Sequence, residues 1–116
     1  MNKIYINKST ITRQPNGFEF VWKLEDDFPY LEGHFPEKPI LPAISMLDLV
    51  IESLEIYKAK NVSLKSIKSA KYTEIIEPGH ELKFCLEHQG EQENWSAIIL
   101  NNKTNKQVCI IKFKLN

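Results

Sequence analysis

The sequence has no excess of charge of either sign and few cysteines. Its 116 residues carry 15 basic and 15 acidic side chains. Without an overall positive field to neutralise many phosphates, the chain is not expected to be a general nucleic-acid binder. The two cysteines, Cys85 and Cys109, stand singly in apolar segments, so they form neither a disulfide framework nor a redox or zinc motif. We therefore expect both thiols to be buried and inert.

Long hydrophobic runs are also missing. No stretch approaches the roughly 20 apolar residues that cross a membrane, and residues 1–8 lack the apolar segment of a signal peptide. We expect a cytoplasmic protein without a membrane span. His80 and His88 have no cysteines or carboxylates at metal-ligand spacing, so no metal site is predicted. The length and the 42% apolar content predict a single domain over residues 1–116.

Alternating apolar residues predict strands. Phe18, Phe20, Trp22 and Leu24 alternate with other residues after the turn pair at 16–17, which is typical of a strand over residues 17–24. An earlier group of isoleucines indicates a shorter strand or edge before Pro15. After Asn61 the strand signal returns, separated by turn residues, over about residues 62–73, 80–89, 94–101 and 107–115.

Residues 41–58 predict a helix, because they contain no internal proline or glycine and Pro42 suits the first turn. Apolar side chains wrap most of its circumference up to Glu52, and a helix that is apolar all round is buried. One buried helix followed by a run of strands predicts an α+β fold, with an antiparallel sheet curled around a central helix.

The residues best suited to catalysis lie just before this helix and within it. His34 lies in a loop rich in glycine and proline, although a lone loop histidine is more often a surface or hydrogen-bonding residue. Asp48 is the first ionisable side chain of the helix. Two interpretations of it stay open: a buried carboxylic acid able to give a proton, and a partly exposed carboxylate favoured by the helix dipole.

Together these residues supply a base, an acid and the backbone N–H groups of a helix start. Such a set suits the loss of water from a β-hydroxy thioester. The base takes the Cα proton, the N–H dipoles polarise the thioester carbonyl, and the acid protonates the departing hydroxyl. This chemistry needs no metal and no organic cofactor.

The residues 33–42, Gly-His-Phe-Pro followed by Pro-Ile-Leu-Pro, and the later Asp48 resemble the hot-dog-fold 3-hydroxyacyl-[acyl carrier protein] dehydratases of bacterial fatty-acid synthesis, in both their 3-hydroxymyristoyl and 3-hydroxydecanoyl types. Residues 67–72 and 77–82 are similar to a strand and a turn of the same family, so the resemblance covers about residues 17–115. It implies a hot-dog fold, in which a curved antiparallel sheet wraps a long central helix. It further implies that His34 and Asp48 are the catalytic pair and meet from different subunits of a dimer.

The resemblance also implies a substrate site and partners. Gly33, Phe35 and Pro42 would bind substrate beside Ala43, which stands where the family has a glycine whose N–H binds the thioester carbonyl. The implied carrier of the acyl group is acyl carrier protein, and the implied assembly is a homodimer or a higher oligomer of dimers. Two residues depart from the family. The methyl group of Ala43 would crowd the thioester, and Glu52 replaces a common Gln that helps to order a water.

Charge placement adds an independent hint. Residues 56–73 carry five lysines and no acidic residue. Such a patch would steer an acidic carrier protein and bind its phosphopantetheine phosphate, while lysines that merely keep a surface soluble give the same pattern.

Three functions stay open. The first is reversible dehydration of 3-hydroxyacyl to trans-2-enoyl thioesters in fatty-acid or specialised polyene lipid synthesis. The second is a non-catalytic subunit that binds acyl thioesters. The third is an acyl thioesterase, in which a carboxylate activates water.

Overall fold

The computed structural model describes residues 5–26, 28, 43–90 and 92–116. Within these residues it contains one α-helix, six strands and a short 3-10 turn at Lys8–Thr10. The elements are, in chain order, β1 (Thr12–Gln14), β2 (Gly17–Lys23), α1 (Ala43–Lys58), β3 (Leu64–Tyr72), β4 (Glu81–Gln89), β5 (Asn94–Asn101) and β6 (Gln107–Leu115). The five predicted strands are confirmed to within two residues at each end. A shorter strand, β1, also lies before Pro15 as expected, but it contains none of the isoleucines that indicated it.

The strands form one antiparallel sheet in the order β1-β2-β4-β5-β6-β3. Phe84 of β4 lies opposite Phe20 of β2 and Ile99 of β5, so these three side chains share one face of the sheet. The pairing of β3 with β6 contains two register shifts, which bend a sheet and increase its twist.

One face of the sheet packs with the helix into the hydrophobic core. Phe84 stacks on Phe20 with 4.6 Å between ring centroids, and Tyr57 of α1 stacks on Phe18 at 4.4 Å. Fully buried side chains come from α1, β2, β4, β5 and β6, and they include Leu49, Val50, Leu54, Phe18, Phe20, Leu82, Phe84, Ile99, Ile111 and Phe113. The expected α+β architecture is therefore confirmed.

The helix is not buried on every side in the single chain. Leu49, Val50 and Leu54 face the core, but Ile44 is 65% exposed and Asp48 is also exposed. The prediction of a helix buried all round is wrong for the single chain, because its own sheet covers only part of the circumference. Of the two interpretations of Asp48, the single chain shows the exposed carboxylate.

Strand β3 forms an exposed edge of the sheet. Every residue after Leu64 in this strand is exposed, including Ile67 at 47% and Tyr72 at 43%. Of its two edges, one pairs with β6, and no described strand pairs with the other. A long exposed edge presents unpaired backbone groups to which another chain can add a strand.

Two smaller expectations are also tested. Cys109 is buried as predicted, whereas Cys85 is only half-buried. Trp22 and Trp95 are buried in the core, as expected for sheet residues. In the described part of the chain, no helix has the length and apolar character needed to cross a membrane.

Candidate active site

Two of the six predicted site residues lie in the described part of the chain. Ala43 is the first residue of α1, and Asp48 follows it by about one and a half helical turns. The other four, Gly33, His34, Phe35 and Pro42, lie outside the described residues. The pairing of His34 with Asp48 therefore stays a prediction.

The start of α1 places backbone N–H groups near Asp48. The first four N–H groups of a helix have no partner within the helix, and the positive end of the helix dipole lies there. The first turn of α1 contains no acidic side chain. A carbonyl oxygen that gains negative charge at this end would therefore meet N–H donors without a nearby carboxylate in that turn.

Ile44, Asp48 and Glu52 lie on one face of α1, because residues four apart on a helix are neighbours. Ile44 and Asp48 are exposed, while Glu52 is half-buried. This face is the part of the helix that its own sheet leaves uncovered. Its exposure places Asp48 where a ligand or a second subunit can reach it.

Glu52 is engaged by the backbone of an N-terminal segment. The N–H of Tyr5 donates to Oε2 at 2.9 Å and to Oε1 at 3.1 Å, and the N–H of Ile6 donates to Oε2 at 2.6 Å. A carboxylate that accepts backbone N–H groups makes a strong, charge-assisted hydrogen bond. Nothing in the sequence around Glu52 indicates this contact, because its partners are backbone N–H groups.

Aromatic packing fixes the same segment against the core. Tyr5 meets Phe28 edge to face at 4.9 Å between ring centroids, and Phe28 meets Trp22 at 5.1 Å. Ile6 is only 3% exposed. The segment therefore adds its own apolar contacts to the carboxylate hydrogen bonds.

The other end of α1 is held by an ion pair. Lys58 Nζ lies 2.6 Å from Glu93 Oε1, and the indole N–H of Trp95 donates to Glu93 Oε2 at 3.0 Å. The hydrogen bond from Lys58 lowers the pKa of Glu93 most, and the bond from Trp95 lowers it further. Because Lys58 is paired here, the exposed lysines of the predicted basic patch lie mainly on β3, at Lys65, Lys68 and Lys71.

His80 and His88 are half-buried and have structural contacts. His80 Nδ1 accepts the N–H of Glu77 at 3.1 Å across a turn. The ring of His88 lies 5.0 Å from that of Trp95. In the described parts of the chain, no three histidines, cysteines or carboxylates converge as a metal site.

A profile of the ApeI-like family, described as ApeI dehydratase, matches residues 10–112. That stretch includes Asp48, α1, the strands β1 to β5 and most of β6. The chain belongs to the ApeI-like family. The resemblance to hot-dog dehydratases inferred from residues 33–42 is thereby confirmed.

Curated relatives carry a dehydratase name. The 3-hydroxyacyl-[acyl-carrier-protein] dehydratase FabZ of Lactobacillus helveticus is 26% identical over 87 residues, which cover 69% of this chain and 59% of that protein. The FabZ of Clostridium acetobutylicum is 36% identical over 63 residues, which cover 48% of this chain and 45% of that protein. The chain thus spans about half the length of the curated relatives it matches.

Solved structures confirm the hot-dog fold. The dehydratase heterocomplex ApeI:P from Xenorhabdus doucetiae matches with a TM-score of 0.78 at 22% identity, covering 89% of this chain and 91% of that one. The PaaI protein of E. coli, from the phenylacetic acid degradation operon, matches with a TM-score of 0.62 at 16% identity, covering 91% of this chain and 80% of that one.

Proposed function

We propose that the chain is a dehydratase that interconverts 3-hydroxyacyl and trans-2-enoyl thioesters on acyl carrier protein. The observation that carries this proposal is the position of Asp48, which lies on the uncovered face of α1 close to the helix start at Ala43. Membership of the ApeI-like family supports it. The reaction would serve fatty-acid or specialised polyene lipid synthesis in the cytoplasm.

In the proposed mechanism His34 removes the Cα proton of the 3-hydroxyacyl group. The N–H of Ala43 polarises the thioester carbonyl as charge develops on its oxygen. Asp48 gives its proton to the 3-hydroxyl, the bond from Cβ to oxygen breaks, and water leaves as the double bond forms. Gly33, Phe35 and Pro42 would line the thioester site.

The proposed enzyme is a homodimer or a higher oligomer of dimers. Three exposed features support a second copy: the edge of β3, the apolar side chains Ile67 and Ile44, and Asp48 itself. An acid works best in a site that excludes water, whereas Asp48 is exposed in the single chain. A partner that covers this face would exclude water from Asp48 and bring its own His34 to it.

The dimer is tested by Ile67→Lys. The new cation joins an edge that already holds three lysines, so like charges would oppose pairing along β3. We expect wild type to elute at twice the 13.5 kDa mass of one chain or a higher multiple, and Ile67→Lys as a folded monomer without turnover. Ile75→Lys changes another exposed isoleucine outside the strands and should stay assembled. An active Ile67→Lys monomer would contradict the shared site.

Carrier recognition is assigned to the lysines of β3. A dimer joined along this strand would bring two sets of Lys65, Lys68 and Lys71 together and strengthen the positive field near its seam. We expect Lys68→Glu to raise KM for carrier-bound substrates several-fold at low salt, with no change for acyl-pantetheine substrates that lack the carrier. Lys106→Glu, in an exposed turn, is the control. An equal effect on both substrate types would refute carrier docking at this patch.

The reaction is tested first by following the ultraviolet absorbance of the conjugated enoyl thioester. Carrier-bound 3-hydroxyacyl and enoyl substrates of several chain lengths are offered to wild type, His34→Ala and Asp48→Asn. We expect turnover by wild type and losses of about 100-fold or more in each variant. Glu55→Gln changes another carboxylate of α1 and should remain active.

Three outcomes would contradict this assignment or part of it. A folded, assembled wild-type protein without turnover at any chain length would exclude the dehydratase and favour a non-catalytic acyl-thioester-binding subunit. Release of free carrier thiol without an enoyl product would instead indicate a thioesterase. Asp48→Asn with wild-type turnover would remove Asp48 from the mechanism.

A further inference from the structure

Residues 5–7, which we call the N-terminal strap, are bound to the same face of α1 that carries Asp48. The attachment point is Glu52, four residues after Asp48, which corresponds to a distance of about 6 Å along the helix axis. On the other side of Asp48, Ile44 is exposed. On this face Ile44 and Asp48 are thus exposed, while Glu52 is half-buried where the strap binds it.

The hydrogen bonds explain how one side chain can fix the strap. Oε2 of Glu52 accepts the N–H groups of both Tyr5 and Ile6. Because Ile6 is buried, loss of this acceptor would leave a buried donor unsatisfied, which is more costly than the bond itself is stabilising. A glutamine at this position keeps a carbonyl oxygen that can accept both bonds, whereas an alanine keeps none.

We propose that Glu52 is a positioning residue that holds the strap as a wall of the acyl-thioester cleft beside Asp48. This inference rests on the proposed function, because it assigns the cleft to that reaction. The half-buried Tyr5, which packs on Phe28, would form the surface of this wall, while the buried side chain of Ile6 anchors the strap to the core. An alkyl chain laid along the helix past Asp48 would meet this wall within about one turn.

The test compares Glu52→Ala, Glu52→Gln and Glu55→Ala. Glu55 is a matched control, since its Oε2 also accepts a backbone N–H, that of Val62 at 3.2 Å, about two turns from Asp48. Amide hydrogen exchange of Tyr5 and Ile6 reports the strap itself. We expect it to be about tenfold faster or more in Glu52→Ala, and unchanged in Glu52→Gln and Glu55→Ala.

Steady-state kinetics of the same variants then test whether the strap contributes to substrate binding. We expect Glu52→Ala to raise KM for carrier-bound substrates about three- to tenfold and to change kcat by no more than about twofold. This is the result expected when a contact that binds the substrate and the transition state equally is lost. Glu52→Gln should restore the wild-type KM, and Glu55→Ala should leave it unchanged. An unchanged KM in Glu52→Ala despite faster exchange would overturn the inference, and so would an equal rise in KM for Glu55→Ala or a failure of Glu52→Gln to rescue.

A binding measurement separates this inference from the reaction. The Kd of a saturated acyl thioester on acyl carrier protein needs no turnover. If wild type binds it but catalyses nothing, the dehydratase proposal fails, while weaker binding by Glu52→Ala alone would still support the wall. Equal binding by wild type and Glu52→Ala would overturn the wall, whatever the activity.

Discussion

Replacing Gly17 by alanine tests how closely β2 and β4 approach each other. A Cβ built at Gly17 would lie 1.9 Å from the carbonyl oxygen of Leu86 and 2.9 Å from its carbonyl carbon. Side-chain carbons essentially never come closer than 3.0 Å to such atoms. Both clashing atoms belong to backbone, so no flexible side chain can turn away. The two strands would have to separate by about 1 Å or more at this point.

The expected cost follows from what that separation disturbs. Gly17 pairs with Glu87 of β4 and with Gln14 of β1, and the N–H of His88 donates to the carbonyl oxygen of Asn16 at 2.7 Å. Overpacking costs about 1–3 kcal/mol, and alanine returns about 0.4–1 kcal/mol by restricting the unfolded chain. Since the contact is with backbone, the cost lies at the upper end, and the free energy of unfolding should fall by about 2–2.6 kcal/mol, which lowers Tm by roughly 8–20 °C in a domain of this size.

Thermal and urea unfolding at one fixed protein concentration measure this loss. Gly90→Ala is the control, because no atom lies within 4 Å of its added Cβ while its φ is +77°. Gly90→Ala therefore carries the strain of a left-handed backbone, about 1–2 kcal/mol, offset by the same gain of about 0.4–1 kcal/mol, so it should lose less stability than Gly17→Ala. A Gly17→Ala protein with a Tm at or above that of wild type would refute the close approach of the two strands.

Three further outcomes are expected. Phe84→Ala, which removes a fully buried ring, should lower the free energy of unfolding by about 3–5 kcal/mol in denaturant titrations; a loss below about 1 kcal/mol would contradict its place in the core. Burial raises the pKa of Cys109 to about 12, so Cys109 should be alkylated more slowly than half-buried Cys85, as followed by mass spectrometry; equal rates would argue against this. The lowered pKa of Glu93 means that its pairing with Lys58 stabilises the fold above the ordinary pKa of 4.5 and is lost as the pH falls through the lower folded value. Glu93→Gln should cost about 0.5–1 kcal/mol at pH 7, since its 37% exposure screens the pair, and nothing once Glu93 is protonated; a pH-independent Tm difference would refute the ion pair.

Strands β2 and β4 could be predicted because each has one face that is more buried than the other. In β4, Leu82, Phe84 and Leu86 are buried, and each residue between them is less buried, so the two-residue period appears directly in the sequence. The turns between strands add positional signals. By contrast, the three residues of β1 are all exposed, so no alternation of burial marks that strand.

Long-range contacts to backbone could not be predicted in the same way. The partners of Glu52 are the N–H groups of Tyr5 and Ile6, which lie 47 and 46 residues away. Every residue except proline supplies a backbone N–H. The side chains at positions 5 and 6 therefore give no indication that their N–H groups bind Glu52. The motif could indicate that residues 33–42 and Asp48 belong together, but it could not show that the strap covers the helix beside them.

The exposure of the helix face also shows what a single sequence leaves open. A helix with apolar residues around its circumference must be covered, but its composition does not say whether its own sheet or a second chain covers each side. Ile44, at 65% exposure, would gain about 1 kcal/mol or more from further burial, and the open edge of β3 offers hydrogen bonds to an added strand. Both gains require another subunit. If the proposed dimer supplies it, the surroundings in which Asp48 acts are a property of the assembly, and the effect of Asp48→Asn should be measured there rather than in a monomeric variant.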